Sequence, residues 1–156
     1  KQEYYEDRVK KIKSDIPDAC VGADVIVGFP GETENDFLET YNFLNELNIA
    51  YLHVFTFSER SNTVAFEMCE VVPKETKAER SRMLHILSDK KRRYFHDQFI
   101  NHQRPVLFEY MKNGKITGHT DNYIQVQVKT ESNFLNTIQD VKLIDNHSTF
   151  VVGDIV

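Results

Sequence analysis

The stretch Asp24-Val-Ile-Val-Gly-Phe-Pro-Gly-Glu-Thr-Glu-Asn-Asp-Phe37 determines how the first part of the chain folds. An apolar run leads into a Gly-Pro-Gly turn and then into an amphipathic pattern, for which Thr33 is the expected N-cap. Strand, turn and helix in this order predict one βα unit of a parallel α/β fold. The turn then lies at the carboxyl end of the strand, where glycines let the backbone approach a ligand closely.

The neighbouring segments predict further elements of the same α/β fold. Residues 1–16 predict an amphipathic helix with an apolar face of Tyr5, Val9, Ile12 and Ile16. Residues 22–28 and 50–57 predict strands that are buried on both faces. The helix between them has an apolar face of Phe37, Tyr41, Leu44 and Leu47. These elements are too few to close a barrel, so we expect the chain to be part of a longer protein.

The second half of the chain changes its apolar period. A loop over residues 58–74, with one helical turn near Ala65–Met68, precedes a long helix expected from Lys74 to His102. Its inward stripe is Met83 or Leu84, Leu87, Lys91 by its stem, Tyr94 or Phe95, and Phe99. From Arg104 the period is two, which predicts strands at 105–111, 116–119, 123–129, 138–144 and 150–156. With a hairpin at Asn113-Gly114, they predict a small β-barrel of oligonucleotide-binding-fold size.

The net charge of −5 is unevenly distributed. Residues 1–72 carry 6 basic and 14 acidic side chains, residues 73–104 carry 9 and 4, and residues 105–156 carry 4 and 6. The middle block contains the run Lys90–Arg93. It is either a docking surface for an anion or a solvated helix face, and charge alone does not distinguish the two.

The two cysteines, Cys20 and Cys69, are 49 positions apart. This spacing is neither a metal motif nor a disulfide framework, so we expect buried or incidental thiols in a reducing compartment. The sequence has no signal peptide and no apolar run of membrane-spanning length. A cytoplasmic protein with no membrane partner is the resulting expectation.

Several segments, read in order, carry a family resemblance. After Asp24–Thr33 come Tyr51-Leu-His-Val-Phe55, Ser58-Glu-Arg-Ser-Asn-Thr63, Glu79-Arg80 with Leu84, and Gly118-His-Thr-Asp-Asn-Tyr-Ile124. Together they resemble the carboxyl-terminal part of the radical S-adenosylmethionine methylthiotransferases. The residues of these segments are most similar to those of the members that act on threonylcarbamoyladenosine in tRNA.

The resemblance implies a fold and an activity. Residues 1–73 would be the last units of a radical SAM (β/α) barrel, residues 74–103 a long basic helix completing it, and residues 104–156 a small all-β TRAM barrel of OB-like type. The full-length parent would add a 2-methylthio group to N6-threonylcarbamoyladenosine beside the anticodon. It would use S-adenosylmethionine and two 4Fe-4S clusters. The cluster-binding cysteines are absent here, so we expect this chain alone to be inactive.

The resemblance also implies partners and binding residues. The partners would be the tRNA anticodon stem-loop and the rest of the same polypeptide. The cofactor-facing residues would be Val27, Gly28, Phe29, Pro30, Gly31, Glu32, Phe55 and Phe57. The tRNA-facing residues would be Arg60, Lys90, Lys91, Arg92, Arg93, His119, Asn122 and Tyr123. No catalytic residue and no metal ligand is predicted.

Plainer interpretations stay open beside these. Gly28 and Gly31 are also typical turn glycines, Arg60 is also placed to pair with an acid, and His53 is interpreted as a core histidine. Asn62 and Val64 replace the family's usual glycine and proline, which leaves the conformation of that loop open. Two other functions are considered: a methylthiotransferase that modifies a ribosomal protein, and a non-catalytic RNA-binding module.

Overall fold

The computed structural model describes residues 2–68 and 70–156, and these form two compact units. The α/β unit holds the described residues up to Pro17 together with Val21–Ser88, and the barrel unit holds Asp18–Cys20 and Asp89–Val156. The elements are α1 (Gln2–Asp15), β1 (Gly22–Val27), α2 (Glu34–Glu46), β2 (Tyr51–Thr56), a 3-10 turn (Val64–Glu67), α3 (Lys74–Asp97), β3 (Gln103–Lys112), β4 (Lys115–Thr120), β5 (Gln125–Lys129), β6 (Ile138–Asn146) and β7 (Val151–Ile155).

In the α/β unit, β1 and β2 pair in parallel along their whole length, from Gly22 opposite Tyr51 to Val27 opposite Thr56. The crossover helix α2 begins with the predicted cap. Thr33 and Asp36 form a capping box, in which the Thr33 side chain accepts from the Asp36 N–H and the Asp36 carboxylate accepts from the Thr33 N–H. The Thr33 hydroxyl, at 2.6 Å, and the Thr33 N–H, at 2.9 Å, both donate to the Asp36 carboxylate and lower its pKa. The unit's core is Val9, Ala23, Val27, Phe37, Leu44, Leu47, Ile49, Leu52, Leu84 and Leu87.

The sequence predicts that β1 and β2 are buried on both faces. This prediction is wrong for one face of the two strands, which is exposed. Ile26 is 59% exposed and Phe55 is 53% exposed. Asp24 and His53 share their exposed face, so the core-histidine interpretation of His53 is also wrong. A long apolar run cannot show whether helices cover one side of a sheet or both. We call Asp24, Ile26, His53 and Phe55 the open face.

The first helix buries less than its pattern predicts. Of its expected apolar face only Val9 is buried, at 3% exposure. Tyr5 and Ile12 are each 41% exposed, and Ile16, which follows the helix, is 61% exposed. Cys20 is half-buried, and the expectation for Cys69 lies outside the described residues.

The barrel unit confirms the small closed β-barrel. Its strands follow the order β3-β4-β5-β7-β6, and all five lie where the period-two pattern predicts them. Asn113 and Gly114 both have positive φ, at 52° and 71°, as a two-residue hairpin turn requires. The interior consists of apolar side chains that are at most 3% exposed: Val106, Phe108, Ile116, Ile124, Val126, Val128, Val141, Leu143 and Val151.

Helix α3 has the predicted inward stripe but ends earlier than predicted. Leu84, Leu87, Phe95 and Phe99 are buried, whereas Tyr94 is 70% exposed. The helix stops at Asp97 rather than near His102. Asn101 takes a left-handed φ of 68°, and its N–H donates to the Leu143 carbonyl at 2.8 Å. The chain therefore leaves the helix to pair with β6. Within the described residues, no helix combines the length and apolar character needed to cross a bilayer.

Candidate functional site

The glycine corner is the turn Gly28–Glu32, which follows the carboxyl end of β1. The chain leaving β2 meets it there. The Phe57 N–H donates to the Val27 carbonyl at 2.8 Å, and the rings of Phe29 and Phe57 meet edge to face with centroids 5.1 Å apart. Both strands therefore end at one site, which is where parallel α/β sheets bind ligands.

Hydrogen bonds within the unit fix the glycine corner. Gly28 and Gly31 have φ of 76° and 84°, values that other residues adopt only with strain. The Gly28 N–H donates to Glu32 Oε2 at 2.7 Å, and the Gly31 N–H donates to the Glu70 carbonyl at 2.8 Å. Both glycine donors are thus occupied. A ligand would meet the shape of this corner rather than these two N–H groups.

Arg80 of α3 anchors the corner through Glu32. Its Nη1 donates to Glu32 Oε2 at 2.6 Å and to the Glu32 carbonyl at 3.1 Å, and its Nη2 donates to Glu34 at 3.1 Å. Arg80 is 4% exposed, and its guanidinium lies 5.3 Å from the centroid of the Phe37 ring. Among the described residues, its Nε has no hydrogen-bond partner. A charge buried this deeply persists because it is paired.

Lys77, one helical turn before Arg80, covers the same corner. A Cβ on Gly28 would lie 2.4 Å from Lys77 Cγ, so the lysine stem fills the space that a side chain would need. Its Nζ lies 3.5 Å from the Phe57 carbonyl oxygen and 5.6 Å from the centroid of the Phe57 ring. Lys77 and Arg80 therefore brace the chain at the ends of both strands.

Sequence analysis did not predict either bracing residue as part of the site. A partial signal exists for Arg80, because it lies four positions before Leu84 on the buried stripe of α3. A charged residue on such a stripe needs a buried partner. Its partner, Glu32, lies 48 positions away in sequence.

A groove of about 420 Å³ opens beside the corner, at the carboxyl end of β2. Its lining includes Ile26, Phe55, Phe57 and Arg60, so it brings three predicted site residues together. The rings of Phe55 and Phe57 and the aliphatic side chain of Ile26 form a surface of the kind that holds a flat aromatic base. Val27 and Pro30 are instead buried, so their side chains support the corner from within. Glu32 is occupied by Arg80. The cofactor-binding roles stay predictions.

The loop after β2 contains a left-handed residue, Asn62, followed by a capped 3-10 turn. Asn62, the residue in the usual glycine position, has φ of 67°. Thr63 then caps the 3-10 turn: its hydroxyl donates to the Arg60 carbonyl at 2.8 Å and accepts from the Phe66 N–H at 3.3 Å. Asparagine is among the residues that tolerate this conformation best. The substitution therefore leaves the left-handed turn intact.

The basic run Lys90–Arg93 belongs to the barrel unit and does not form one face. Lys90 and Arg93 are exposed, whereas Lys91 and Arg92 are half-buried. Burial lowers the pKa of Lys91. Arg92 pairs with Asp89 at 3.2 Å, and Arg93 donates to the Ser148 hydroxyl at 2.6 Å. The predicted contact with tRNA stays a prediction for all four residues.

The predicted tRNA-facing residues after β4 have different environments. Tyr123 is 73% exposed with a φ of 67°, and its ring stacks on His119 with centroids 4.9 Å apart and planes 20° apart. His119 Nδ1 lies 2.6 Å from Glu109 Oε2. Asn122 is only 7% exposed, and its Oδ1 accepts from the Thr120 hydroxyl at 2.6 Å. Tyr123 and His119 offer a stacking surface, while Asn122 builds the turn that presents it.

Metal ions and clusters require particular sets of ligand side chains. Over residues 2–68 and 70–156, no group of three or more His, Cys, Asp or Glu side chains is arranged to hold a metal ion. The full sequence has two cysteines, fewer than the thiolates that an iron–sulfur cluster requires. The described residues therefore do not fit a cluster.

Known proteins resemble the chain over most of its length, although no family profile matches it. The threonylcarbamoyladenosine tRNA methylthiotransferase of Bacillus subtilis is 37% identical over 147 residues, which are 91% of this chain and 33% of that protein. The protein of the same name from Aquifex aeolicus is 37% identical over 126 residues, 81% of this chain and 30% of that protein. The chain belongs to the methylthiotransferase family.

A second group of family members supports the same conclusion. The tRNA-2-methylthio-N(6)-dimethylallyladenosine synthase of Clostridium perfringens is 34% identical over 158 residues, which are 99% of this chain and 35% of that protein. The resemblance found in the sequence is thus confirmed. This methylthiotransferase-family chain spans about a third of the length of the curated relatives it matches.

Proposed function

We propose that the chain is the carboxyl-terminal part of a tRNA-modifying radical SAM methylthiotransferase. The α/β unit would be the last units of the radical SAM barrel, and the barrel unit would be its TRAM domain. The observation that carries this proposal is the 37% identity to threonylcarbamoyladenosine tRNA methylthiotransferases of two organisms. The parent would accordingly place a 2-methylthio group on N6-threonylcarbamoyladenosine beside the anticodon. A tRNA substrate would make the cytoplasm its location.

The open face and the groove support the proposal that this chain forms one side of the cofactor-binding site. Further barrel strands would pack beside β1 and β2, with Ile26 and Phe55 turned toward the barrel interior. S-Adenosylmethionine, when bound, supplies the radical chemistry that opens an inert carbon–hydrogen bond. The residues of this chain would bind and orient its nucleoside, with Phe55 and Phe57 as the aromatic surface. Glu32, Arg80 and Lys77 would hold the corner at a fixed distance from it.

A second candidate substrate is N6-dimethylallyladenosine. The Clostridium perfringens relative named for that nucleoside is 34% identical over 99% of this chain. Both candidates share the adenine ring and differ in the group on N6. Protein contacts to that group would therefore decide between them.

Nucleoside analysis in the source organism tests the activity. We expect that deleting the coding sequence removes one 2-methylthio nucleoside from total tRNA, measured by mass spectrometry, and leaves its precursor without the methylthio group. Loss of the threonylcarbamoyl form supports the first candidate and loss of the dimethylallyl form supports the second. Unchanged tRNA, together with loss of a modification from a ribosomal protein, would overturn the proposal.

Cofactor binding tests the role of the groove. We expect Phe55→Ala to weaken binding of S-adenosylmethionine to the full chain by about 2- to 12-fold, because one ring contact is lost. Ile86→Ala is the matched control, since Ile86 is 42% exposed on α3 and does not line the groove. Calorimetric titration of both variants measures the difference. Equal affinities would contradict a cofactor role for Phe55.

A further inference from the structure

The outer surface of β3, β4 and β5 carries a row of three lysines. Lys112 lies directly opposite Lys115 in the β3–β4 pair, and Lys115 lies directly opposite Lys129 in the β4–β5 pair. The next row along the strands consists of Tyr110, Thr117 and Gln127, paired in the same way. We call these six residues the lysine face.

The three lysines lack the carboxylate partners that Arg92 and Arg104 of the barrel unit have. Within the part of the chain that the structure describes, none of the three forms an ion pair, whereas Arg104 bonds to Asp18 and Asp121 at 2.7 and 2.9 Å. Lys142 of β6 stands opposite Asp154. Like charges directly across a sheet destabilise it. An anionic ligand would relieve this repulsion.

Within the barrel strands, most acidic residues lie on β6 and β7. The three strands of the lysine face contain one acid, Glu109, which bonds to His119. Strands β6 and β7 contain Asp140, Asp145 and Asp154. Asp121 and Glu131 lie in the loops after β4 and β5. Within the strands, the lysine face is therefore basic although residues 105–156 are slightly acidic in total.

The lysine face also has a groove and exposed rings. Tyr110, Lys112 and Lys115 line a groove of about 380 Å³, and Tyr110 is 56% exposed. His119, on which Tyr123 stacks, lies four residues beyond Lys115 on β4, about 13 Å away at 3.3 Å per residue. Positive charge and separated aromatic rings along one surface are what single-stranded nucleic acid binding requires.

We propose that the lysine face binds the phosphates of a single-stranded RNA segment, while Tyr110 and Tyr123 stack on its unpaired bases. This rests on the proposed function, which supplies an RNA substrate but does not say which face of the β-strands its phosphates contact. The relevant RNA is an unpaired loop, because stacking on protein rings requires bases that are not stacked in a helix.

The salt dependence of RNA binding tests the lysines. The variant carries Lys112→Gln, Lys115→Gln and Lys129→Gln in the full chain, and the probe is an anticodon stem-loop RNA measured by fluorescence anisotropy. We expect binding roughly 10- to 100-fold weaker at about 0.1 M salt, and a slope of log affinity against log salt that is smaller by about 2. The control, Lys10→Gln with Lys11→Gln and Lys142→Gln, changes the net charge equally and should keep the slope.

Tryptophan fluorescence tests the stacking directly, because the chain contains no tryptophan. We expect the emission of a Tyr110→Trp variant to be quenched as the RNA loop is added. Tyr4→Trp is the matched control, since Tyr4 is 63% exposed on α1, and its emission should not change. Tyr110→Leu should weaken binding roughly 5- to 150-fold without changing the salt slope.

The outcomes separate this inference from the proposed function. If the wild-type chain binds the RNA while the lysine variant keeps its affinity and slope, the lysine face is excluded and the tRNA substrate stands. If the wild-type chain does not bind RNA, the lysine face is excluded, and the nucleoside analysis of tRNA alone decides the proposed function. If poly-glutamate competes as well as RNA and Tyr110→Trp is not quenched, the face is a general polyanion surface and the stacking role is excluded.

Discussion

The two sheets of this chain differ in how completely they are enclosed. Strands β3 to β7 close on themselves, so each has two neighbours and Phe108 inside is fully buried. In the described residues, β1 and β2 have one neighbour each, and Ile26 and Phe55 are more than half exposed. Free strand edges and exposed apolar side chains are where further protein binds. The barrel sheet is thus closed, while the α/β unit presents free strand edges and exposed apolar side chains.

The largest expected effect lies inside the barrel. Phe108→Ala removes a fully buried ring and should lower the free energy of unfolding by about 3–5 kcal/mol. Leu107→Ala is the control, because the neighbouring Leu107 is 43% exposed, and it should cost less than about 1 kcal/mol. Urea unfolding followed by circular dichroism measures both. Equal losses would mean that the barrel interior is not packed as described.

The next effect concerns the brace of the glycine corner. Arg80→Ala leaves the carboxylate of Glu32, whose side chain is 15% exposed, without its partner and should cost about 3 kcal/mol. Arg82→Ala, on the same helix with an arginine side chain that is 63% exposed, should change stability little. Thermal or urea unfolding compares the two. A smaller loss in Arg80→Ala than in Arg82→Ala would contradict the bracing role.

Two glycines with left-handed backbones should respond differently to alanine. Gly114→Ala should cost about 1–2 kcal/mol, because its φ is 71° but no atom lies within 4 Å of a new Cβ. Gly28→Ala adds the clash with Lys77 and should cost about 2–4 kcal/mol. Combining Gly28→Ala with Lys77→Ala should recover part of the loss. An additive double variant would show that the lysine stem does not fill this space.

A pH effect near neutrality is expected in the barrel unit. Burial lowers the pKa of His96 below its ordinary value of 6.5. The unfolded chain then binds a proton more readily than the folded one, so stability is complete above pH 6.5 and falls as the pH drops below it. His96→Leu should flatten this dependence between pH 7 and 5, measured by urea unfolding at each pH. An unchanged slope would exclude His96 as its source.

The smallest effect on stability is expected at the open face, where the change in association is the main result. Ile26→Lys with Phe55→Lys should change stability by no more than about 0.5 kcal/mol. The wild-type chain should self-associate through this face at high concentration, and the variant should not. Tyr4→Lys with Val64→Lys is the control at other exposed positions. Sedimentation velocity distinguishes them, and a monomeric wild-type chain would contradict the prediction.

Local chemistry made much of the fold predictable. The Thr33 cap, the Asn113-Gly114 hairpin, the five barrel strands and the position of the glycine corner after β1 depend on residues close in sequence. Asn62 was also interpretable from its own tolerance of positive φ. Such features are fixed by turns, caps and periods, which a single sequence displays.

Features that depend on distant residues were not predictable. The Arg80–Glu32 pair spans 48 positions, and the end of α3 is decided by the pairing of Asn101 with Leu143. The open face was missed because an apolar run looks the same whether one or both sides are covered. The lysine face was missed because its three charges come together only through strand register, and net charge conceals them.

A short parallel pairing between β5 and β7 closes the β-barrel. Within the described residues, β5 and β7 pair only at Val126 opposite Val151 and Gln127 opposite Val152, whereas β6 and β7 share five paired positions. Amide protons of the β5–β7 pairing should therefore exchange with deuterium faster than those of the other strand pairs in the barrel, since the fewest hydrogen bonds must break there. Opening the β5–β7 pairing would convert the closed barrel into an open sheet with two unpaired edge strands. We expect aggregation of the protein to begin at these edges.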